Sequence, residues 1–154
     1  MGREWYHGIY EVENRDKYIG HSDPKYRSSW ECRFAYYLDH NSMVKRWGYE
    51  ILEIPYQYDL DNGKRKRKYI VDFYAEIQDV TSGNLKKYVI EVKPKKQTRR
   101  PDSPGNKNKK RLQRYVYEMK EYIKNQNKWR YATAWCKGNG MIFKIITEAE
   151  LKTL

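Results

Sequence analysis

The chain has 154 residues, with 32 Lys and Arg against 20 Asp and Glu, a net charge of +12, and a mean hydropathy of −1.11. That length supports one domain of ordinary size, and an aromatic content of 16%, with 16 Tyr and 5 Trp, excludes wholesale disorder and supplies a core. No run of about 18 apolar residues is present, and Met1 to His7 hold no apolar leader, so the expectation is an intracellular protein that does not span or bind a membrane.

Residues 1–25 are aromatic, mixed in charge and without clear period, and read as an N-terminal arm to a domain spanning 26–154. A first helix starts at Ser28, where Ser28 and Glu31 have capping-box spacing. Its apolar face is Trp30, Phe34, Tyr37 and Leu38, and it ends near Asp39. Tyr49 to Tyr58 is strand-like, with Pro55 arguing for an edge or a bulge. Asp61, Asn62 and Gly63 mark a turn. Lys66 to Ile77 alternates as one long strand, with Tyr69, Val71, Phe73 and Ala75 on one face and Asp72 on the other. A third strand covers Tyr88 to Lys93 and stops at Pro94; Val89, Glu91 and Lys93 share a face. Residues 95–108 read as a mobile basic loop. A helix follows from about Lys109 to Lys124, then a short one around Lys128 to Lys137 closed by Gly138. A last strand over Met141 to Ile146 and a terminal helix begun by Thr147 and Glu150 complete the order. The expectation is an α/β fold: one mixed central sheet of about four strands, flanked by helices.

The chemistry-bearing pattern is Asp72 in one strand and Glu91 with Lys93 in the next. A spacing of two puts Glu91 and Lys93 on one face, and pairing of the strands brings Asp72 to it. Two half-buried carboxylates repel, and a hard divalent cation, Mg2+ or Mn2+, relieves them. Such an ion holds a phosphate oxygen and acidifies a bound water. Lys93 is placed to orient that water or to neutralise charge developing on phosphate, and Glu31 to add an oxygen to the metal or one of its waters. Each residue also has a plain structural reading: Glu31 as a helix cap, Asp72 as a strand residue paired with lysine, Glu91 and Lys93 as a charge pair near a sheet edge. His7, His21 and His40 are scattered, and Cys32 and Cys136 stand alone, so neither a zinc hydrolase nor a disulfide framework is supported.

The order of helix Glu, strand Asp, strand Glu-x-Lys and basic helix resembles the PD-(D/E)-x-K superfamily with its restriction-endonuclease-like core. It is more closely similar to the head-completion nuclease family of T-even-type contractile-tailed phages. The stretches that carry this resemblance are Tyr26 to Glu31, Ile54 to Tyr56, Gly63 to Asp72, Ile90 to Thr98, Asn127 to Trp129 and Phe143 to Glu148. Val71 stands where the superfamily has its Pro. The resemblance implies a catalytic set of Glu31, Asp72, Glu91 and Lys93, with metal held by Asp72, Glu91 and Glu31. It also implies a role in finishing the DNA-filled head, in the host cytoplasm during assembly or in the virion head, with portal or other head-neck proteins as partners.

Charge placement points to DNA. Residues 64–114 hold 17 basic and 5 acidic side chains, a net +12, while residues 1–63 are net −3. Basic blocks of this kind suit a polyanion, and the candidate nucleic-acid contacts are Arg27, Lys95, Lys96, Arg99, Arg100, Lys107, Lys109, Lys110, Arg111 and Arg114. Trp129 and Tyr115 are candidates for stacking on unpaired bases. The readings from these features are a metal-dependent DNA endonuclease, a non-catalytic head protein that binds DNA or the portal, and an RNA-binding basic domain.

Overall fold

The computed structural model describes residues 7–62, 65–105 and 108–154. Helix α1 (Ser29–His40) begins where the Ser28 side chain accepts a hydrogen bond from the Glu31 N–H at 3.2 Å, satisfying one of the orphan donors of the first turn. It buries Phe34, Ala35 and Leu38. The Glu31 carboxylate turns to the Tyr49 hydroxyl at 2.9 Å, so only the Ser28 half of the expected capping box is made with the helix backbone.

Strand β4 (Val44–Tyr49) ends just before Glu50, which sits at a φ of +52°. The predicted single strand over 49–58 is therefore two: β4 and, after the break, β5 (Glu53–Gln57). The long strand expected over 66–77 divides in the same way into β6 (Lys66–Ile70) and β7 (Phe73–Gln78). β5 and β6 form their own antiparallel pair, and β7 joins the main sheet. The two breaks are tied together, since the Glu50 N–H donates to the Asp72 carbonyl at 2.9 Å. The turn expected at 61–63 begins with Asn62 at a φ of +57°; Gly63 and Lys64 lie outside the described residues, as does Lys107.

The main sheet has five strands, in spatial order β2 (Tyr18–Ile19), β4, β7, β8 (Leu85–Val92) and β9 (Ile142–Ile146). β4, β7 and β8 are an antiparallel meander, and the two outer strands run parallel to their neighbours. α1 lies in the connection to β4 and a long helix, α2 (Lys109–Gly138), in the connection to β9, as parallel pairings require. The residues assigned above to an arm supply β2 and a small pair, β1 (Gly8–Ile9) with β3 (Lys25–Tyr26). Tyr10 and Val12 of this segment are buried, as is Tyr26 directly after it. β2 approaches β4 closely at Gly48, where a Cβ would lie 3.0 Å from the Ile19 carbonyl oxygen.

Helix α2 (Lys109–Gly138) is one continuous helix of 30 residues, not two. It is capped by Asn108, whose side chain accepts from the Lys110 N–H at 2.9 Å. The short α3 (Glu148–Leu151) carries both bonds of the predicted capping box between Thr147 and Glu150. Alternation on the sheet sorts the core into two layers. Phe73, Ala75, Ile90 and Val92 face α1, α3 and the N-terminal segment, with Trp47 fully buried among them. Tyr74 and Val89 face the β5–β6 pair and α2, meeting Ile54, Tyr69, Trp129 and Ala132. Among the described residues no helix is long and apolar enough to cross a membrane.

Candidate active site

Asp72 occupies the bend between β6 and β7. The β7–β8 register pairs Phe73 with Ile90, and continuing it sets Asp72 opposite Glu91 and Val71 opposite Val92. The chain turns away before that last pair forms. The Val92 N–H is taken instead by Asp72 Oδ2, at 2.9 Å. The break in the strand thus aims a carboxylate at the end of β8, where an unbroken ladder would have used a backbone carbonyl.

Glu91 is buried, with 7% of its surface exposed. One carboxylate oxygen accepts from the Tyr69 hydroxyl at 2.8 Å, and the other lies 3.3 Å from Lys93 Nζ. Lys93 is half-buried, and its backbone N–H donates to Ile146 of β9 at 2.9 Å. Burial pushes the Asp72 carboxyl well above its ordinary value, and the charges of Glu91 and then Glu31 push the same way; the Val92 N–H and Lys93 pull against them. Burial likewise raises Glu31, opposed by the Tyr49 hydrogen bond and the charge of Arg27. Asp72 is therefore within electrostatic reach of the other three side chains of the set predicted from sequence.

Among the described residues no three acidic, imidazole or thiol side chains already converge as a ready-made cation site. The side chains present still fit a hard divalent ion. Two carboxylates meet at one strand end, and each disfavours the charge of the other, which a cation between them would relieve.

The predicted nucleic-acid contacts divide by position. Lys96, Arg99, Arg100, Arg111 and Arg114 line one groove of about 980 Å3 together with Lys93. The 3-10 turn Lys95–Thr98 and the residues after it form one wall, and α2 the other. Lys95, Lys109 and Lys110 are exposed but outside that lining, and Arg27 is paired with Glu50 beside α1. Tyr115 lines the groove, whereas Trp129 is 6% exposed in the core layer under α2 and cannot stack on a base. Of the groove residues that were not candidates from sequence, two stand out. Lys128 lies with its ammonium 5.3 Å from the Tyr69 ring centre, and Tyr122 lines the wall contributed by α2. Periodicity carries no signal for either; only the packing of α2 on the β5–β6 pair reveals Lys128.

A five-stranded mixed sheet with helices on both faces, bearing two carboxylates and a lysine at the end of its central strands, is the core of a restriction-endonuclease-like nuclease. The family model for the N-terminal domain of TnsA-like endonucleases matches residues 41–148, and the chain belongs to that family. The matched span contains Asp72, Glu91, Lys93 and all of α2; Glu31 precedes it. Over 152 residues the chain is also 35% identical to the head completion nuclease of Enterobacteria phage T4, a match that covers 97% of this chain and 95% of that one.

Proposed function

We propose that this endonuclease hydrolyses DNA phosphodiester bonds with a divalent cation, Mg2+ or Mn2+, and acts in phage head completion after DNA packaging. The observation that carries the reading is the meeting of Asp72, Glu91 and Lys93 at the end of one strand, at the head of a basic groove. Asp72 and Glu91 would hold the metal, with Glu31 serving one of its waters. When bound, the metal supplies an acidified water and a charge on the phosphate oxygens.

The chain's own residues have separable tasks. Tyr69 fixes one oxygen of Glu91 and so sets the orientation of the carboxylate. The Val92 N–H does the same for Asp72. Lys93 directs its ammonium into the same place, where it orients the attacking water and neutralises charge that develops on phosphate. The groove arginines hold the DNA backbone without reading its sequence. Contact with the portal or other head-neck proteins, in the host cytoplasm during assembly, follows from the same reading.

Incubation with supercoiled plasmid tests it. Nicking should require Mg2+ or Mn2+, stop in chelator, and be lost in Glu91→Gln while the thermal transition of that variant persists. Nicking that continues in chelator, or at the wild-type rate in Glu91→Gln, overturns the assignment.

A further inference from the structure

Lys128 projects from α2 toward the β5–β6 pair. Its ammonium lies 5.3 Å from the ring centre of Tyr69 and 6.0 Å from that of Tyr56. The side chain is half-buried, and among the described residues no carboxylate is within ion-pair distance of it. Tyr69, the ring beneath it, is the residue that donates to Glu91. Lys128 thus stands over the far side of the hydrogen bond that orients a site carboxylate, in the groove that also contains Lys93.

A half-buried ammonium loses hydration, and two tyrosine faces return only part of it. The field around it is also adverse: burial, then Lys124, lower its pKa, and Lys93 adds to this, with Glu91 and Glu121 opposing from a distance. A lysine that merely drapes its stem over aromatic surface keeps its head in open water. Lys128 keeps its head in the groove. The groove around it is mainly basic, with Lys93, Lys96, Arg99, Arg100 and Arg111 outweighing Asp102, Glu118 and Glu121, and so suits a phosphate backbone.

We propose that Lys128, seated on Tyr56 and Tyr69, is a phosphate subsite on the floor of the groove that takes one backbone phosphate of bound DNA next to Lys93. The proposal rests on the nuclease reading of the groove, but concerns binding and not the chemical step. The tyrosine bed fixes the ammonium in place, so the subsite sets how far the strand enters toward Asp72 and Glu91.

The test is carried out in chelator, where no cleavage is expected. Dissociation constants of a fluorescein-labelled duplex oligonucleotide are measured across a salt series for the wild type, Lys128→Met and Lys128→Arg. Loss of one phosphate contact should flatten the slope of log affinity against log salt by about 0.9 in Lys128→Met. Lys128→Arg should keep the wild-type slope. The thermal transition of Lys128→Met should stay level or rise, since an unpaired half-buried cation is removed. Lys128→Gln, measured the same way, decides the matter if Lys128→Met does not fold. An unchanged slope in the neutral variant overturns the subsite, and with a lowered transition it assigns Lys128 to packing instead. Failure of this proposal is separable from failure of the catalytic one. Wild-type protein that nicks plasmid with metal while the neutral variant keeps its slope loses only the subsite. Wild-type protein that shows the expected slopes but never nicks loses only the catalysis.

Discussion

Asp72 is held where its charge is penalised. It is a carboxylate in a half-buried bend, with Glu91 opposite and Glu31 nearby, and its pKa in the fold lies well above its ordinary value. The unfolded value is about 3.9. A carboxyl whose pKa is raised on folding contributes stability below its unfolded pKa and loses it as pH rises through the folded one. In chelator, Asp72→Asn should therefore be more stable than the wild type at neutral pH, by roughly 2–4 °C for each kcal/mol of penalty removed in a chain of this size. The two should converge below about pH 4, and the Asn carbonyl can still accept the Val92 N–H. Added Mg2+ or Mn2+ should raise the transition of the wild type and leave Asp72→Asn unmoved. A variant less stable than the wild type at pH 7 would show that Asp72 serves the fold. Lys93 makes a different demand. On the proposed reading Asp72 and Glu91 would hold a cation without it, yet hydrolysis needs a charge near the developing phosphorane. Lys93→Met should keep metal binding by isothermal titration while plasmid nicking falls by a factor on the order of 10²–10⁴. Wild-type nicking in Lys93→Met would remove the lysine from the chemistry.

The elements show why part of the fold could be read from the chain and part could not. The α1 start, the β8 strand, β9 and the Thr147–Glu150 box rest on local chemistry, and local chemistry is in the sequence. The two strand breaks are not local. Alternation runs smoothly from Tyr69 through Val71 to Phe73, because the apolar residues of both strands are buried, although in different layers. What divides them is the pairing of β6 with β5 and the bond from Glu50 to the Asp72 carbonyl, neither of which leaves a pattern in the order of residues. The sequence suggests a break in α2 at Asn125 to Asn127, where asparagines of low helix propensity interrupt it. Asn127 in fact holds a tertiary link: its side chain accepts the Asp59 N–H at 2.9 Å and donates to the Asp59 carboxylate at 2.8 Å. Asn127→Ala removes both bonds of this link, but the Asp59 carboxylate is exposed and keeps Arg130 at 3.5 Å, so the change should cost about 0.5–1.5 kcal/mol in chemical denaturation. The slope of free energy against denaturant should stay unchanged. A loss below about 0.5 kcal/mol would place the link among surface contacts. The same division applies to the site. That Asp72, Glu91 and Lys93 share a face is legible from strand parity, whereas Lys128, one lysine in a lysine-rich helix, carries no periodic signal and is set apart by the tyrosines it rests on.

At the scale of the molecule, the excess charge of residues 64–114 is not spread evenly over the surface. Part of the first basic run is spent within the β5–β6 unit, where Arg67 binds Asp61 at 2.6 and 3.1 Å and Lys68 lies 3.7 Å from Glu53. The runs at 96–100 and 111–114, on the turn after β8 and on α2, line the same groove that leads to Lys93. The walls also carry Asp102, Glu118 and Glu121, with Glu118 2.9 Å from Arg114, but the basic side chains are in excess. On the proposed reading they focus the field along one path, where phosphates would displace counterions. Lys109 and Lys110 belong to the same run in the sequence but lie outside the groove lining. The fold therefore separates charges that composition alone treats as equal. Replacing Arg99, Arg100, Arg111 and Arg114 by Gln should flatten the salt dependence of duplex affinity by roughly 3–4 units, at about 0.9 per lost phosphate contact. Replacing Lys109 and Lys110 by Gln should lower affinity at low salt through the weaker overall field, and change the slope by less than about one unit. Both sets should act alike on unrelated sequences, since backbone contacts carry no base information. Fluorescence anisotropy in chelator, from about 50 to 200 mM salt, spans the range in which such slopes are resolved. Equal slope changes per charge in the two sets would mean that DNA follows net charge and not the groove. A larger change from Lys109 and Lys110 would move the DNA path to the outer face of α2.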